Sequence, residues 1–424
     1  MERTQWLDGL RGIAAAIVAF DHYFMGEITL PFRSFGAEPA EENRRLIQLP
    51  PIRLLFAARA MVPLFFVISG YALTRRRDTP QFFRRLSSSV TRRAFRIYLP
   101  VLVIATISQF LYFFGMYHWE FQNALMQGVE PWTSPWSHLQ YLTRYMMDNM
   151  NIIDLKNNTG LNGQLWTMPM EVRGSCVIYL ATLGMSGWRS ALRPWALAIT
   201  MLYFLCYGLW DIFCFVAGMY LAEIRTGAAD EDENKLPLYV EVNLPNIGKV
   251  PLARIGKYIT FAVGIYIMCL GDDGYLPLGY QSLNLIQPSY WRDWGTISAS
   301  WAAIGSLMVV FAISGLKVLQ RPLNSRPIQY LGRISFSLYL VHQSIFHLWR
   351  DPVKNFIWLV LHKDLYPGSE GAIQSPWTFY TTWISSGVLM GAITIYAAHY
   401  YTRFVDEKCL SFTKKIERFL TAGE

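Results

Sequence analysis

The chain has 424 residues, of which 53% are hydrophobic, 15% aromatic and only 16% charged, a balance that excludes a soluble domain of ordinary composition. The formal net charge of +8 would point to an acidic partner in a soluble protein. Here Lys- and Arg-rich loops between apolar segments account for much of the excess, and nucleic acid is not an expected ligand.

Taken in chain order, apolar segments near the ~20 residues that cross a ~30 Å hydrocarbon layer occur at 10–24, 54–73, 97–115, 165–185, 194–209, 212–224, 259–270, 297–316, 334–349 and 379–401. The segments at 212–224 and 259–270 are short for a span. The pattern predicts an all-α integral membrane protein of about ten transmembrane helices, organised as one polytopic domain over residues 1–424. Asp8 and Arg11 lie within the first apolar run, which has no small-residue cleavage site, so that run is expected to be an uncleaved span. After the second span come Arg75, Arg76, Arg77, Arg84, Arg85, Arg92, Arg93 and Arg96, opposed only by Asp78, which marks a cytoplasmic loop. With ten spans, both termini and the basic loops around Arg189, Arg193, Lys317, Arg321, Arg326 and Arg333 fall on that same side.

The loop over 116–163, with Trp119, Trp132 and Trp136, is too long for a tight connection and is expected on the lumenal side as a lid or acceptor surface. It carries the sequon Asn157-Asn158-Thr159, so Asn157 is a candidate glycosylation site in a eukaryotic host. The stretch 225–257, with Asp230-Glu231-Asp232-Glu233, reads as a solvated cytoplasmic connector. The five cysteines, Cys176, Cys206, Cys214, Cys269 and Cys409, lack CxxC spacing, so neither a metal site nor a disulfide framework is implied.

Chemistry concentrates on the first span. Arg11 and His22 are eleven helical steps apart, which returns both side chains to within roughly 20° of one face, about 16 Å apart. If the span enters the bilayer near Asp8, His22 lies about 21 Å in, and Glu171 on the opposite-running fourth span reaches a similar depth. An intramembrane ionisable residue calls for a named partner. For His22 that partner is Glu171, which would hold the imidazole in the tautomer that takes a proton from a hydroxyl. Asp21 points about 100° away around the helix. His347 reaches a similar depth on the ninth span and is an alternative for either role, whereas His342 is expected deeper toward the cytoplasm. At the cytoplasmic end, Asp8 and Arg11 form an i, i+3 pair, and Arg93 with Arg96 form another where the basic loop meets the third span. Clustered guanidinium groups at an interface suit phosphate oxygens, although most arginines in such loops fix topology or meet lipid headgroups.

Several segments together resemble the acyltransferase 3 family of integral-membrane acyltransferases. They are Leu7-Asp8-Gly9-Leu10-Arg11-Gly12-Ile13-Ala14-Ala15 through His22, Phe65-Phe66-Val67-Ile68-Ser69-Gly70-Tyr71 and Arg93-Ala94-Phe95-Arg96, followed by Leu165-Trp166-Thr167-Met168-Pro169-Met170-Glu171 and Leu331-Gly332-Arg333-Ile334-Ser335-Phe336-Ser337-Leu338-Tyr339-Leu340-Val341-His342. They come in the family's order over nearly the whole chain, and Arg173-Gly174-Ser175 after Glu171 looks more like the fungal branch than the bacterial sugar O-acetyltransferases. The resemblance implies transfer of an acyl group, commonly acetyl from acetyl-CoA, to a hydroxyl of a carbohydrate, lipid or small natural product. It implies His22 as general base and donor contacts from Arg11, Arg93 and Arg96, while position along the spans adds Glu171 beside His22 and supporting roles for Asp8, His342 and His347. The acyl-CoA is a co-substrate and no permanently bound cofactor is implied. Membrane lipids are the other expected partner, and an endomembrane such as the endoplasmic reticulum the expected location in a eukaryote. No Gly-x-Ser-x-Gly nucleophile motif is present. A carrier or exporter of an acylated or anionic molecule is the alternative, since intramembrane His, Glu and Arg also suit proton relays. Against it stands the lack of repeated halves.

Overall fold

The computed structural model describes residues 4–26, 28–74, 81–118, 129–156, 160–228, 241–244 and 248–421. Asn157, Arg75 to Asp78, Trp119 and Asp230 to Glu233 lie outside the described residues. The described α-helices of seven residues or more are α1 (Gln5–Phe24), α2 (Ala58–Leu73), α3 (Phe82–Phe113), α4 (Pro135–Met150), α5 (Met168–Gly184), α6 (Arg193–Cys206), α7 (Trp210–Ala228), α8 (Leu252–Met268), α9 (Trp294–Gly315), α10 (Lys317–Leu323), α11 (Arg326–His362), α12 (Pro376–Tyr401) and α13 (Glu407–Thr421). A π-helical segment, Thr402–Asp406, joins α12 to α13.

Each of the ten apolar segments has its greater part in a helix, although several run one to four residues past a helix end. Among the described residues, three helices are long and apolar enough to cross a membrane, Phe82–Phe113, Trp294–Gly315 and the continuous run Pro376–Leu420, with shorter apolar helices at Ala58–Leu73 and Arg193–Cys206. Local chemistry sets several starts. Proline occupies the first turn of α4, α6 and α12, where its missing N–H costs nothing. Asp293 caps α9 by accepting from the Thr296 backbone N–H at 2.9 Å and from its hydroxyl at 2.7 Å, and these bonds hold the Asp293 carboxyl below the ordinary carboxylate range.

Four regions hold helix beyond what the apolar segments mark. The helix of the third segment starts at Phe82, fifteen residues before Ile97, and that of the ninth extends from Arg326 to His362. Polar faces carry both helices past their apolar cores, and a search for apolar runs does not see them. The loop 116–163 contains α4, and the connector 225–257 is helical at both ends around a short antiparallel ribbon, Glu241–Leu244 paired with Gly248–Pro251.

The chain divides into two compact units. The first comprises Met1–Val18, Ile28–Phe83 and Arg173–Gly332. Its helices approach closely at glycines, as small residues permit within membrane bundles. A Cβ at Gly70 would strike the Phe215 carbonyl, and one at Gly218 the Val67 carbonyl, so α2 and α7 touch backbone to backbone. A Cβ at Gly12 would strike the Gly332 nitrogen, and one at Gly332 the Asp8 carbonyl. The two sequence landmarks around Gly12 and Gly332 are therefore one packing contact. Arg173 pairs with the buried Asp211 at 2.5 Å, and Arg193 with Glu223 at 3.3 Å.

The second unit comprises Ala19–Glu27, Arg84–Val172 and Arg333–Glu424. Its interior is held by side-chain hydrogen bonds between helices. Ser108 on α3 meets Ser344 on α11 at 2.7 Å, Tyr401 donates to the Pro100 carbonyl at 2.5 Å, and Thr402 donates to Ser337 at 2.8 Å. Hydroxyls that find partners in this way can occupy an apolar bundle without an unsatisfied-group penalty.

Candidate active site

Within the second unit two histidines from different helices meet. His22 near the end of α1 faces His342 on α11, with Nδ1 of His22 2.9 Å from Nε2 of His342 and the rings stacked at 5.1 Å. Nδ1 of His342 lies 3.2 Å from the Leu338 carbonyl. A carbonyl can only accept, so in the neutral pair that Nδ1 carries the proton and Nε2 of His342 accepts from the Nδ1–H of His22. The lone pair of His22 then resides on Nε2, the arrangement of a general base whose second nitrogen is held by an orienting partner. His342 is fully buried and His22 half-buried, so the orienting ring lies inside and the basic one nearer access. Tyr339 and Phe346 enclose the His342 ring at 6.0 and 5.8 Å.

The partner expected of His22 is thus corrected. His342, not Glu171 or His347, meets it. The apolar bounds 334–349 do not set the depth of residues on α11, which begins at Arg326 and is 37 residues long. His347 packs against the Tyr117 ring at 5.2 Å, and its carbonyl accepts from the His118 N–H at 2.8 Å.

Glu171 on the first turn of α5 forms an ion pair with Arg93 on α3. Arg96, one turn further along α3 and exposed, acts electrostatically on Asp406. Two of the three arginines expected to meet a donor, Arg93 and Arg96, therefore each act on a carboxylate. Arg11, half-buried, and Asp8 belong to the first unit, near the Gly12 and Gly332 contact.

Sequence reasoning missed the groups between these pairs. The Tyr339 hydroxyl donates to the Gln164 carbonyl at 2.8 Å and lies 2.8 Å from Thr167 Oγ1, while Gln164 donates to the Leu340 carbonyl at 2.7 Å. These bonds fasten the segment before Glu171 to the helix that carries His342. The only signal was that Thr167 and Tyr339 lie inside segments already singled out. Asn162 extends the polar layer by donating to Ser344 at 2.9 Å.

A family profile described as an acyltransferase domain, acyltransferase 3, matches residues 4–399. The chain belongs to the acyltransferase 3 family. Three fungal relatives are similar along most of their length. The O-acetyltransferase PaAT-1 of Phomopsis amygdali is 27% identical, with 81% of this chain and 72% of the relative covered. The acyltransferase R4 of a Phoma species is 24% identical, with 80% and 82% covered. The acyltransferase clz18 of Cochliobolus lunatus is 21% identical, with 84% and 85% covered. No solved structure matches. These relatives place the chain with a fungal-type branch of the acyltransferase 3 family, and with its apolar helices it is a membrane acyltransferase.

Proposed function

We propose that this membrane acyltransferase transfers acetyl from acetyl-CoA to a hydroxyl of a small natural product, with His22 as general base. The observation that carries the proposal is the His22–His342 pair, which leaves a basic nitrogen on a half-buried ring. In the proposed step, Nε2 of His22 takes the proton of the acceptor hydroxyl while its oxygen attacks the thioester carbonyl. The carbon–sulfur bond then breaks, and the imidazolium returns the proton to the departing CoA thiolate. Such proton transfer contributes about 10²–10⁴-fold in rate. The acetyl donor is supported by one relative, which is named an O-acetyltransferase. Arg11, Arg93 and Arg96 are the proposed contacts for donor phosphates, which suit forked guanidinium donors. Glu171 acts in this proposal by positioning Arg93. We further propose ten spans with both termini cytoplasmic in an endomembrane, which puts Arg93 and Arg96 on the donor side and the 116–163 region with Asn157 on the lumenal side.

The test compares metabolites of a host expressing wild type with those of a host expressing His22→Ala. A hydroxylated metabolite heavier by one acetyl unit in the wild-type host alone supports the proposal. Equal amounts of acetylated product in both hosts refute it.

A further inference from the structure

The last helix carries a surface that acyl transfer does not use. Phe404, Lys408, Phe412, Lys415 and Phe419 recur at i, i+4, i+8, i+11 and i+15. At about 100° per residue the four on α13, Lys408 to Phe419, fall within an arc of roughly 60° along some 16 Å of helix, and Phe404 precedes them on the π turn. The three phenylalanines are 53%, 53% and 82% exposed, and both lysines are exposed. The arc contains no acidic residue. The opposite face is the one that packs inward: Thr413 is buried, and Glu417 pairs with Arg92 of α3 at 3.2 Å. The alternating stripe is therefore the side of α13 turned away from its own unit.

Alternating phenylalanine and lysine suits neither water nor a dry protein core. It suits a lipid interface, where aromatic rings sink to the acyl boundary and lysine stems reach back so that their ammonium groups meet phosphate. Position along the chain supports the same occupant. Phe404 follows the end of the apolar α12 by three residues, about 5 Å of rise, which is headgroup depth at the end of a span. The π-helical turn Thr402–Asp406 lies at that junction. A π turn holds an extra residue and changes the face that the following helix presents.

We infer that the Phe404–Phe419 stripe, which runs from the π turn along α13, is a docking surface for the anionic phospholipid leaflet next to the end of α12. The phenylalanines supply apolar insertion, and Lys408 and Lys415 supply the charge match. The inference depends on membrane residence and not on the identity of donor or acceptor.

The test uses the full chain in nanodiscs of phosphatidylcholine alone or with about one third phosphatidylserine, a content that gives a negative surface potential. Amide hydrogen exchange is followed across 404–421. Exchange is expected to be slower in the anionic discs. Each lysine at an anionic surface is worth about a fivefold change in binding, so Lys408→Gln with Lys415→Gln removes about 25-fold of the anionic preference. Phe412→Ser with Phe419→Ser raises exchange in both lipids. All these side chains are exposed, so elution volume and helix content should match wild type. Equal exchange in the two lipids, or protection unchanged in the lysine variant, overturns the inference. So does protection that appears in neutral discs only when acetyl-CoA is added, because the lysines would then face the donor.

Discussion

Replacing His342 by Phe removes the acceptor for the His22 Nδ1–H while keeping an aromatic ring of similar volume in a fully buried site. When His22 takes a proton from the acceptor hydroxyl it becomes an imidazolium, and its bond to His342 Nε2 changes from neutral to charge-assisted. A hydrogen bond to a charged group is worth about 1.5–3 kcal/mol. At ~1.4 kcal/mol per factor of ten, the variant should lose about 10–150-fold in kcat. Because the bond strengthens in the transition state, KM for acetyl-CoA should stay within about twofold. His342→Gln, whose amide oxygen can still accept, should fall between Phe and wild type. The assay is thiol release from acetyl-CoA by protein in detergent or nanodiscs, with elution volume and thermal midpoint recorded beside it. A folded His342→Phe variant with wild-type kcat would refute the orienting role of His342.

Other outcomes follow from the same geometry. Glu171→Gln breaks a partly buried ion pair and should lower stability by about 1–2 kcal/mol, and Arg93→Gln should raise KM for acetyl-CoA more than it lowers kcat. Thermal midpoints and a two-parameter kinetic fit check both. Gly12→Val drives a branched side chain into the Gly332 backbone and should abolish a monodisperse peak on size exclusion, at a cost of more than about 2 kcal/mol. Asp293 has its carboxyl pulled down by the Thr296 hydrogen bonds, so its contribution is present above the ordinary aspartate value near 3.8 and is lost as pH falls below it. The gap in thermal midpoint between wild type and Asp293→Ala should therefore be constant from neutral pH down to about that value, then shrink.

Helix positions were legible because apolar runs are long and uninterrupted, and each of the ten segments has its greater part in a helix. The ends of α3 and α11 were not legible, since amphipathic turns of Arg, Ser and Gln outside the apolar core carry no membrane signal. His22 was legible as an ionisable group inside an apolar helix, but its partner was not. Depth counting assumes a known entry point and an upright helix, and the 37 residues of α11 allow several registers. The Arg93–Glu171 pair escaped for a different reason: each residue was read against its own proposed ligand, while the fold sets them against each other. The glycines at 12 and 332 lie in separate segments of the sequence, and only the fold shows that one contact needs both.

The most direct test of the account is CoA thiol release by purified protein given acetyl-CoA and a hydroxylated acceptor, measured for wild type and for His22→Ala. Acceptor-dependent release by wild type that falls about 10²–10⁴-fold in the variant is the expected result for a lost general base. Release that is unchanged in His22→Ala, or solute movement into proteoliposomes without any thiol release, would contradict it.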